Sequence, residues 1–439
     1  MSWEKVKLNN ILSNSEKRFK PYDNVISGLK RIDKIDFGGN IYLSDSPSKT
    51  DMIIIKQGEL VISGINVYKG AVALYEGYED VTATIHYSSY KLNQDKIDLD
   101  FFKLFLKSPE FLNAIKEQVP GGIKTEIKPK HLLPLEVEIP IKVEEQKKIV
   151  KSFQFRKLNI DTIHSELSFQ LDLVQQLRQA FLREAMQGKL VSQNPNDEPA
   201  SILVQKIKAE KEKLAKEKKN KKEKNLSPIK DEEIPFEIPE SWVWCKLWEI
   251  ISFGPVNGYS PQKSKVGKGI KCLTLTATTS GKFNGSYFKL VDEHIDQDSY
   301  LWLSSGDILL QRGNSLEYVG IAALFNGHQN EFIYPDLMIK VKAIKYVDSK
   351  YLYMALNSPS SRRYFQREAF GTQKSMPKIN QYTVNNVMIP IPPCNEQHRI
   401  VSKLDQLMSM CDELEQSIQQ GKTTANYLLQ RVLKEALQK

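Results

Sequence analysis

The sequence lacks the residue patterns that metal sites and disulfide frameworks require. Its four cysteines, Cys245, Cys272, Cys394 and Cys411, are widely separated and form no Cys-x-x-Cys pair. The six histidines show no metal-ligand spacing either. This distribution predicts no zinc site, and it predicts thiols that are buried in a reducing compartment.

Long apolar segments are also missing. No run is long enough to cross a bilayer, and the first ten residues, MSWEKVKLNN, lack the apolar centre of a secretory signal. The sequence therefore predicts a cytoplasmic protein without a membrane partner.

Recognisable catalytic motifs are absent as well. The one Pro-Pro pair, Pro392-Pro393, lacks the flanking groups by which an amino-methyltransferase holds its target, and Gly267-Lys268-Gly269 lacks the hydroxyl residue of a P-loop. Pro335-Asp336 with Asp348-Ser349-Lys350 fits a loose nuclease pattern, but an N-cap role explains Asp348 better. We expect no catalytic and no metal-binding residues in this chain.

The positive charge that is present is concentrated in one place. The formal net charge is +9, and the run from Lys206 to Lys224 holds ten lysines against four glutamates, a net of +6. The run has two interpretations, a phosphate-binding segment or a solvated helical linker, and the linker is favoured. Net charge alone is therefore weak evidence for a nucleic-acid partner.

The most informative pattern is an internal duplication. The second half repeats the first in the same order, at an offset that changes only from 239 to 251 residues. The matched pairs are Trp3 and Trp242, Gly58 and Gly306, Gly70 and Gly320, Ser108-Pro109 and Ser358-Pro359, Ile139-Pro140-Ile141 and Ile389-Pro390-Ile391, and Glu145-Gln146 and Glu396-Gln397. Two copies are too few for a solenoid, so the pattern predicts a tandem pair of domains.

Each copy changes character once along its length. Short β-like runs bounded by glycines come first, interrupted by a helix around Phe101–Val119 for which Asp100 is a candidate N-cap. A helix of just over forty residues follows, roughly 60 Å long at about 1.5 Å per residue.

Heptad spacing predicts that the two long helices pair with each other. The seam positions of the second helix are Ile400, Leu404, Leu407, Cys411, Leu414, Ile418, Gly421, Ala425, Leu428 and Val432. The looser seam of the first is Ile149, Phe153, Ile160, Ile163, Leu167, Val174 and Phe181. An exposed seam of this length needs a partner. Antiparallel pairing would place the domains at opposite ends and give the chain an approximate two-fold axis.

The predicted fold is α+β, with two similar mixed α/β domains separated by two long helices that pair as an antiparallel coiled coil. A proline-flanked, charged segment joins the copies. The predicted boundaries are 1–141 for the first domain, 142–187 for the first long helix, 188–238 for the linker, 239–392 for the second domain and 393–439 for the second long helix.

Several ordered motifs resemble those of one known family. They are GDILLQRGN (306–314), the GTQKS loop (371–375), IPIPPCNEQHRIV (389–401), QGKLVSQNPNDEPA (187–200) and IPFEIPESWVWCKL (234–247). With their first-half counterparts they make the whole chain similar to the specificity (S) subunit of a type I restriction–modification enzyme. The two domains would then be target-recognition domains.

The resemblance implies partners that the residues alone do not show. Such a subunit recognises an asymmetric, two-part site in double-stranded DNA and binds two methyltransferase (M) subunits, which in turn bring restriction (R) subunits. SAM, ATP and Mg²⁺ would belong to those partners, with no cofactor in this chain. Two other interpretations stay open: a coiled-coil scaffold with two protein-binding domains, and a self-contained DNA-modifying enzyme.

Candidate DNA-binding residues lie in two loops of each copy. Arginine reads guanine and asparagine or glutamine reads adenine, whereas lysine more often binds phosphate. The candidates are Asn66, Lys69, Lys124 and Lys128 in the first copy, and Gln311, Arg312, Asn314, Gln373, Lys374 and Lys378 in the second. For each residue the alternative is an ordinary solvated loop position, and Gly313-Asn314 also fits a simple turn.

Overall fold

The computed structural model describes residues 2–15, 17–117, 127–217, 229–370 and 376–437. Its contacts divide the chain into two compact units, Met1–Phe169 with Ile418–Lys439 (unit 1) and Gln170–Ser417 (unit 2). Both units combine β-sheets with α-helices, which confirms the predicted fold class.

Unit 1 begins with short strands and ends in a long helix. Its strands are β1 Trp3–Lys7, β2 Leu12–Asn14, β3 Arg18–Phe19, β4 Arg31–Ile35, β5 Ile41–Ser44, β6 Met52–Ile55, β7 Leu60–Ser63, β8 Val72–Leu74, β9 Val81–Thr84, β10 Tyr87–Leu92 and β11 Glu136–Pro140. Its helices are α1 Leu99–Leu106, α2 Pro109–Glu117, α3 Pro129–Leu132 and the first part of α4 Val143–Met186. The sheets, in strand order, are β1-β11, β2-β10-β7-β8 and β3-β6-β9-β4-β5.

Unit 2 holds the rest of α4 and then a similar series. Its helices are α5 Ala200–Glu217, α6 Ser349–Leu356, α7 Pro359–Glu368, α8 Gln381–Asn386 and the first part of α9 Cys394–Ala436. Its strands are β12 Val243–Lys246, β13 Ile251–Asn257, β14 Ile270–Leu273, β15 Phe288–Val291, β16 Asp307–Gln311, β17 Ala322–Leu324, β18 Phe332–Ile333, β19 Met338–Ala343 and β20 Met388–Ile391. The sheets are β12-β20, β13-β19-β16-β17 and β15-β14-β18.

Two of the three sheets recur in both units, which confirms the predicted duplication. The pair β1-β11 corresponds to β12-β20, and β2-β10-β7-β8 corresponds to β13-β19-β16-β17 strand for strand. We call these two sheets with their helices the frame. The remaining sheet of each unit, called here the variable sheet, has five strands in unit 1 and three in unit 2 among the described residues.

The helices of the frame begin at side-chain caps. Asp98 starts α1 by accepting the Phe101 amide at 2.9 Å, so the predicted cap at Asp100 was wrong by two residues. The single helix expected over 101–119 is two helices, because the Ser108 hydroxyl accepts the Phe111 amide and starts α2. In unit 2, Asp348 caps α6 as predicted.

Each frame is held by an apolar core between its four-stranded sheet and its helices. In unit 1 this core contains the fully buried Phe101, Phe102 and Phe111. In unit 2 it contains Phe365 and Tyr351. A separate group of buried residues lies beneath each variable sheet, so the variable sheets carry packing of their own.

Helices α4 and α9 contact each other in antiparallel direction in unit 1. Arg156 pairs with Glu435 at 3.7 Å, whereas Ser168, further along α4, accepts a hydrogen bond from Lys422 at 3.1 Å. A Cβ on Gly421 would lie 3.4 Å from Leu167, so this predicted weak layer of the seam faces a leucine.

In unit 2 the same two helices contact each other through ion pairs. Arg178 lies 2.6 Å from Asp412 and 3.0 Å from Glu415. Burial opposes ionisation of Asp412, but hydrogen bonds from Lys282 and Arg178 hold its pKa below the usual range.

The seam is narrower than the heptad pattern predicted. Cys411 is buried in unit 2 and Ala425 in unit 1, but Leu414 and Leu428 are 49% and 43% exposed. The second apolar position of these heptads therefore lies largely outside the contact.

The start of the segment expected to be a linker is built into unit 2. Ala200, Leu203 and Ile207 line the buried face of α5 and share a core with Trp242. Upstream of α5, Asp197 accepts a hydrogen bond from Arg399 at 2.7 Å. Apolar residues at helical spacing explain this docking, which the charge pattern of the segment had concealed.

Candidate nucleic-acid interface

The two candidate loops of unit 2 lie side by side. Strand β16 ends at Gln311, and the next residue, Arg312, accepts the Ile379 amide through its carbonyl at 2.8 Å. Gly313 forms a β-bridge with Lys378, and a Cβ on Gly313 would come within 3.1 Å of the Lys378 side chain. The structure thus brings Arg312, Asn314 and Lys378 together beyond the end of β16, a central strand of the four-stranded sheet.

Gln311 cannot read a base in this arrangement, and its selection as a reader was wrong. The side chain is fully buried, and its amide nitrogen lies 3.0 Å from the Leu275 carbonyl and 3.1 Å from the hydroxyls of Thr278 and Thr279. Its amide oxygen accepts from Asn314 at 2.6 Å. Gln311 therefore positions the loop.

Asn314 is engaged at both ends of its side chain. Besides the bond to Gln311, its amide oxygen accepts the Ser315 amide at 2.8 Å. Bidentate pairing with adenine needs an amide that is available on both sides. We therefore rank Asn314 below Arg312 as a reader.

Arg312 is the strongest candidate reader of unit 2. It is half-buried, and its guanidinium donates one long hydrogen bond, 3.4 Å, to the Asp336 carbonyl. Within the described part of the chain, the other guanidinium N–H groups have no protein acceptor. Because guanidinium has five donors in a fixed fork, this leaves enough of them for a bidentate contact to guanine.

Unit 1 repeats the loop arrangement with different side chains. Gly64 follows β7 as Arg312 follows β16, and its carbonyl accepts the Ile127 amide at 2.9 Å. Asn66 is half-buried and makes no side-chain capping bond. Its backbone carbonyl accepts the amides of Lys69 and Ala71, so the loop is fixed while the Asn66 side chain stays a candidate reader.

A hairpin of the variable sheet packs against this loop, a contact that the sequence did not reveal. The hairpin joins β4 to β5, and Phe37 at its tip is 60% exposed with the Lys69 ammonium 5.5 Å from its ring centre. Gly70 has φ +103°, and a Cβ there would lie 2.5 Å from the Phe37 carbonyl. Only glycine fits at position 70. The sequence DFGGN (36–40) indicates a turn but not what that turn packs against.

The structure describes only some of the remaining candidates. Lys128 is exposed, just before α3, and Lys378 is half-buried across Gly313. Lys124, Gln373 and Lys374 lie outside the described residues, so for them the prediction from sequence stands alone.

One buried pair of positions, at the start of the central strand and its neighbour, differs between the units. In unit 1, Glu59 accepts a hydrogen bond from the Ser89 hydroxyl at 2.7 Å. In unit 2, Asp307 occupies the corresponding position and lies 3.4 Å from the ammonium of Lys340. Burial lowers the pKa of Lys340, against the opposing effect of Asp307.

The described part of the chain has neither a cluster of metal-ligating side chains nor a membrane-spanning helix. Among the described residues, no group of three or more His, Cys, Asp or Glu side chains could hold a metal ion. No helix in that part of the chain combines the length and apolarity needed to cross a membrane. Asp348 belongs to the loose nuclease pattern, but its carboxylate accepts the amides of Lys350 and Tyr351 and so caps α6.

The candidate loops of unit 2 lie within a region that matches a known family. Residues 239–421 match the family described as "Type I restriction modification DNA specificity domain". The "Type I restriction enzyme EcoEI specificity subunit" of Escherichia coli is 31% identical over 268 residues, 60% of this chain and 45% of that protein. The EcoAI specificity subunit of Escherichia coli is 34% identical over 248 residues, 55% of this chain and 41% of that protein. The chain spans less than half the length of these two relatives.

Solved structures share the fold over nearly the whole chain. A chain from work on "complex assembly and conformational transition of the type I R-M system" aligns with TM-score 0.64 and 16% identity, covering 99% of this chain and 97% of that one. The HsdS subunit from Thermoanaerobacter tengcongensis aligns with TM-score 0.51 and 16% identity, covering 99% and 96%. The family match over residues 239–421 agrees with the resemblance predicted from sequence.

Proposed function

We propose that this chain is the DNA-recognition subunit of a type I restriction–modification complex and that it reads an asymmetric, two-part site. The observation that carries the proposal is the repeated loop pair. In each unit, two loops lie at the same end of the four-stranded sheet. The same backbone hydrogen bond joins the two loops in both units, but their side chains differ. Two similar frames that carry different loop side chains are suited to reading two different half-sites of one DNA site.

The residues divide into base readers and phosphate binders. Arg312 is proposed to read a base in one half-site and Asn66 in the other, with Asn314 as a secondary contact. Lys69, Lys128 and Lys378 are proposed to bind phosphate. Replacing such a lysine should weaken binding to all sequences alike and reduce the salt dependence of binding by about one unit of slope.

The proposed complex supplies the chemistry through its partners. Two methyltransferase subunits would bring SAM and methylate adenine, and restriction subunits, bound through them, would bring ATP and Mg²⁺. This chain would contribute no catalytic residue. Purified alone, it should show no turnover with SAM, or with Mg²⁺ and ATP.

Mapping methylated adenines across the genome tests the proposal directly. Cells that express the chain with its methyltransferase should carry one asymmetric, two-part methylated motif that disappears when the chain is deleted. An unchanged methylation pattern would reject the proposal. A chain that binds the methyltransferase but shows no salt-dependent DNA binding in that complex would indicate a protein scaffold instead.

A further inference from the structure

The glutamine of the repeated Glu-Gln pair lies at the same place in both units. Gln146 is in the first turn of α4 and Gln397 in the first turn of α9, and both are fully buried. Burying a primary amide costs free energy unless its donors and acceptor are all paired. Such a residue is retained in two diverging copies only if its contacts matter.

In unit 1 the Gln146 side chain joins two separate segments of the recognition domain through three hydrogen bonds. Its amide oxygen accepts the backbone N–H of Asp98, the cap of α1, at 2.7 Å. Its amide nitrogen donates to the carbonyl of Lys96 at 3.1 Å and to that of Pro140 at 2.8 Å. One side chain on the long helix therefore holds the end of β11 and both sides of the entry to α1.

Unit 2 repeats both contacts to the entry of its first frame helix, and its third contact lies two residues beyond Pro390, the counterpart of Pro140. The Gln397 amide oxygen accepts the backbone N–H of Asp348 at 2.9 Å. Its amide nitrogen donates to the carbonyls of Tyr346 at 3.5 Å and Pro392 at 3.1 Å. The two glutamines therefore share the contacts to the helix entry and both also bond to the chain that leads into the long helix, although the variable sheets of the two units differ.

The preceding glutamate does not repeat in this way. Glu145 accepts the backbone amide of Ser2 at 3.2 Å. Glu396 is buried, which raises its pKa, and accepts from the Trp242 indole at 3.0 Å and from Gln193 at 2.6 Å. The glutamine is thus the part of the Glu-Gln pair whose contacts both units share.

We propose that Gln146 and Gln397 are positioning residues that fix each recognition domain on the first turn of its own long helix and so determine how strictly the gap between half-sites is measured. The inference rests on the proposed function. A helix can measure distance only if the domain at its end cannot tilt. If the domain could tilt by about 10° relative to its helix, the far end of roughly 30 Å of helix would move by about 5 Å. This displacement exceeds the ~3.4 Å rise of one base pair.

The test uses the full chain reconstituted with its methyltransferase. The substrates carry the same half-sites separated by the native gap or by gaps one and two base pairs shorter or longer. Gln397→Ala should reduce the preference for the native gap about tenfold, the factor that corresponds to about 1.4 kcal/mol of lost discrimination. Selectivity for the half-site bases should stay within about twofold, because no reader has been changed.

Matched variants separate positioning from simple destabilisation. Gln406→Ala, an exposed glutamine on the same helix, should leave the gap preference unchanged. Gln397→Glu keeps the acceptor for the Asp348 amide but places an oxygen against two carbonyls, so it should act like Gln397→Ala. Gln146→Ala should reproduce the effect from unit 1. A merely structural role would lower methylation equally at every gap.

Each result has a defined meaning. An unchanged gap preference in assembled complexes overturns the inference. So does a parallel loss of half-site selectivity. Failure of all three variants at Gln146 and Gln397 to assemble, while the Gln406→Ala control assembles, overturns it as well. If the wild-type complex methylates no two-part site, the proposed function fails, and that outcome is distinct from a failure confined to the variants.

Discussion

The frame and the variable sheet of each unit have diverged to very different degrees. Both frames keep the same strand order, the same capped helices and the same buried glutamine on the long helix. Among the residues that the structure describes, the variable sheets have five strands in unit 1 and three in unit 2. In the proposed complex, the two frames contact equivalent partners, so their structures are expected to stay alike. Each variable sheet supports a loop that reads a different half-site, so the two sheets are expected to differ.

The same contrast holds within a single loop. The backbone hydrogen bond after the central strand is present in both units, from Ile127 to Gly64 and from Ile379 to Arg312. The side chain that it positions is a hydrogen atom in one unit and a guanidinium in the other. Backbone geometry is thus shared while donor chemistry differs, as reading two unlike half-sites requires.

Changing the length of the long helices should have the largest effect. One helical turn added to α4 within 149–185, with a matching turn in α9 to preserve their antiparallel contacts, lengthens the connection between reading loops by about 5.4 Å. Methylation of the original site should be lost and should reappear at sites with the same half-sites and a larger gap. Methylome sequencing measures both, and an unchanged gap would show that helix length does not set the spacing.

Removing a frame aromatic should be the next most damaging change. Phe101→Ala deletes a fully buried ring from the core of unit 1 and should cost about 3–5 kcal/mol of unfolding free energy. Phe37→Ala removes the same atoms from the exposed tip of the variable-sheet hairpin and should cost under about 0.5 kcal/mol. Denaturant unfolding compares them, and equal losses would contradict the distinction between frame and variable sheet.

The buried ion pair of unit 2 should show a somewhat smaller effect. Lys340→Met leaves the Asp307 carboxylate, 2% exposed, with only the more distant ammonium of Lys342, at 3.8 Å, and should cost about 3 kcal/mol. The double variant with Asp307→Leu should recover most of that loss, since an apolar pair replaces a charged one. In unit 1, Ser89→Ala removes one hydrogen bond to Glu59 and should cost about 2 kcal/mol. A double variant that is less stable than Lys340→Met would contradict this account.

The frame was predictable from the sequence because its signals are periodic and repeated. Two copies of Ile-Pro-Ile and Glu-Gln, followed by apolar residues at helical spacing, were enough to predict the domains and the long helices. The weaker seam positions were not predictable, because Leu414 and Leu428 fit the heptad but the partner helix does not cover them.

The site was predictable at the level of loops but not of individual side chains. Gln311 and Arg312 are neighbours of similar polarity, yet Gln311 is the last residue of β16, which is buried along its whole length, and Arg312 lies just beyond the end of that strand. Phe37 lies 29 residues before Asn66, and only the folded hairpin brings it to the loop. Long-range packing of this kind leaves no local pattern in one sequence.

The most direct test of the central claim is the methylated motif of two single variants. Arg312→Ala should relax base selectivity in one half of the motif, by about 1–3 kcal/mol, and leave the other half unchanged. Asn66→Ala should relax only the other half. If either substitution alters both halves, or both alter the same half, the two units do not read separate half-sites.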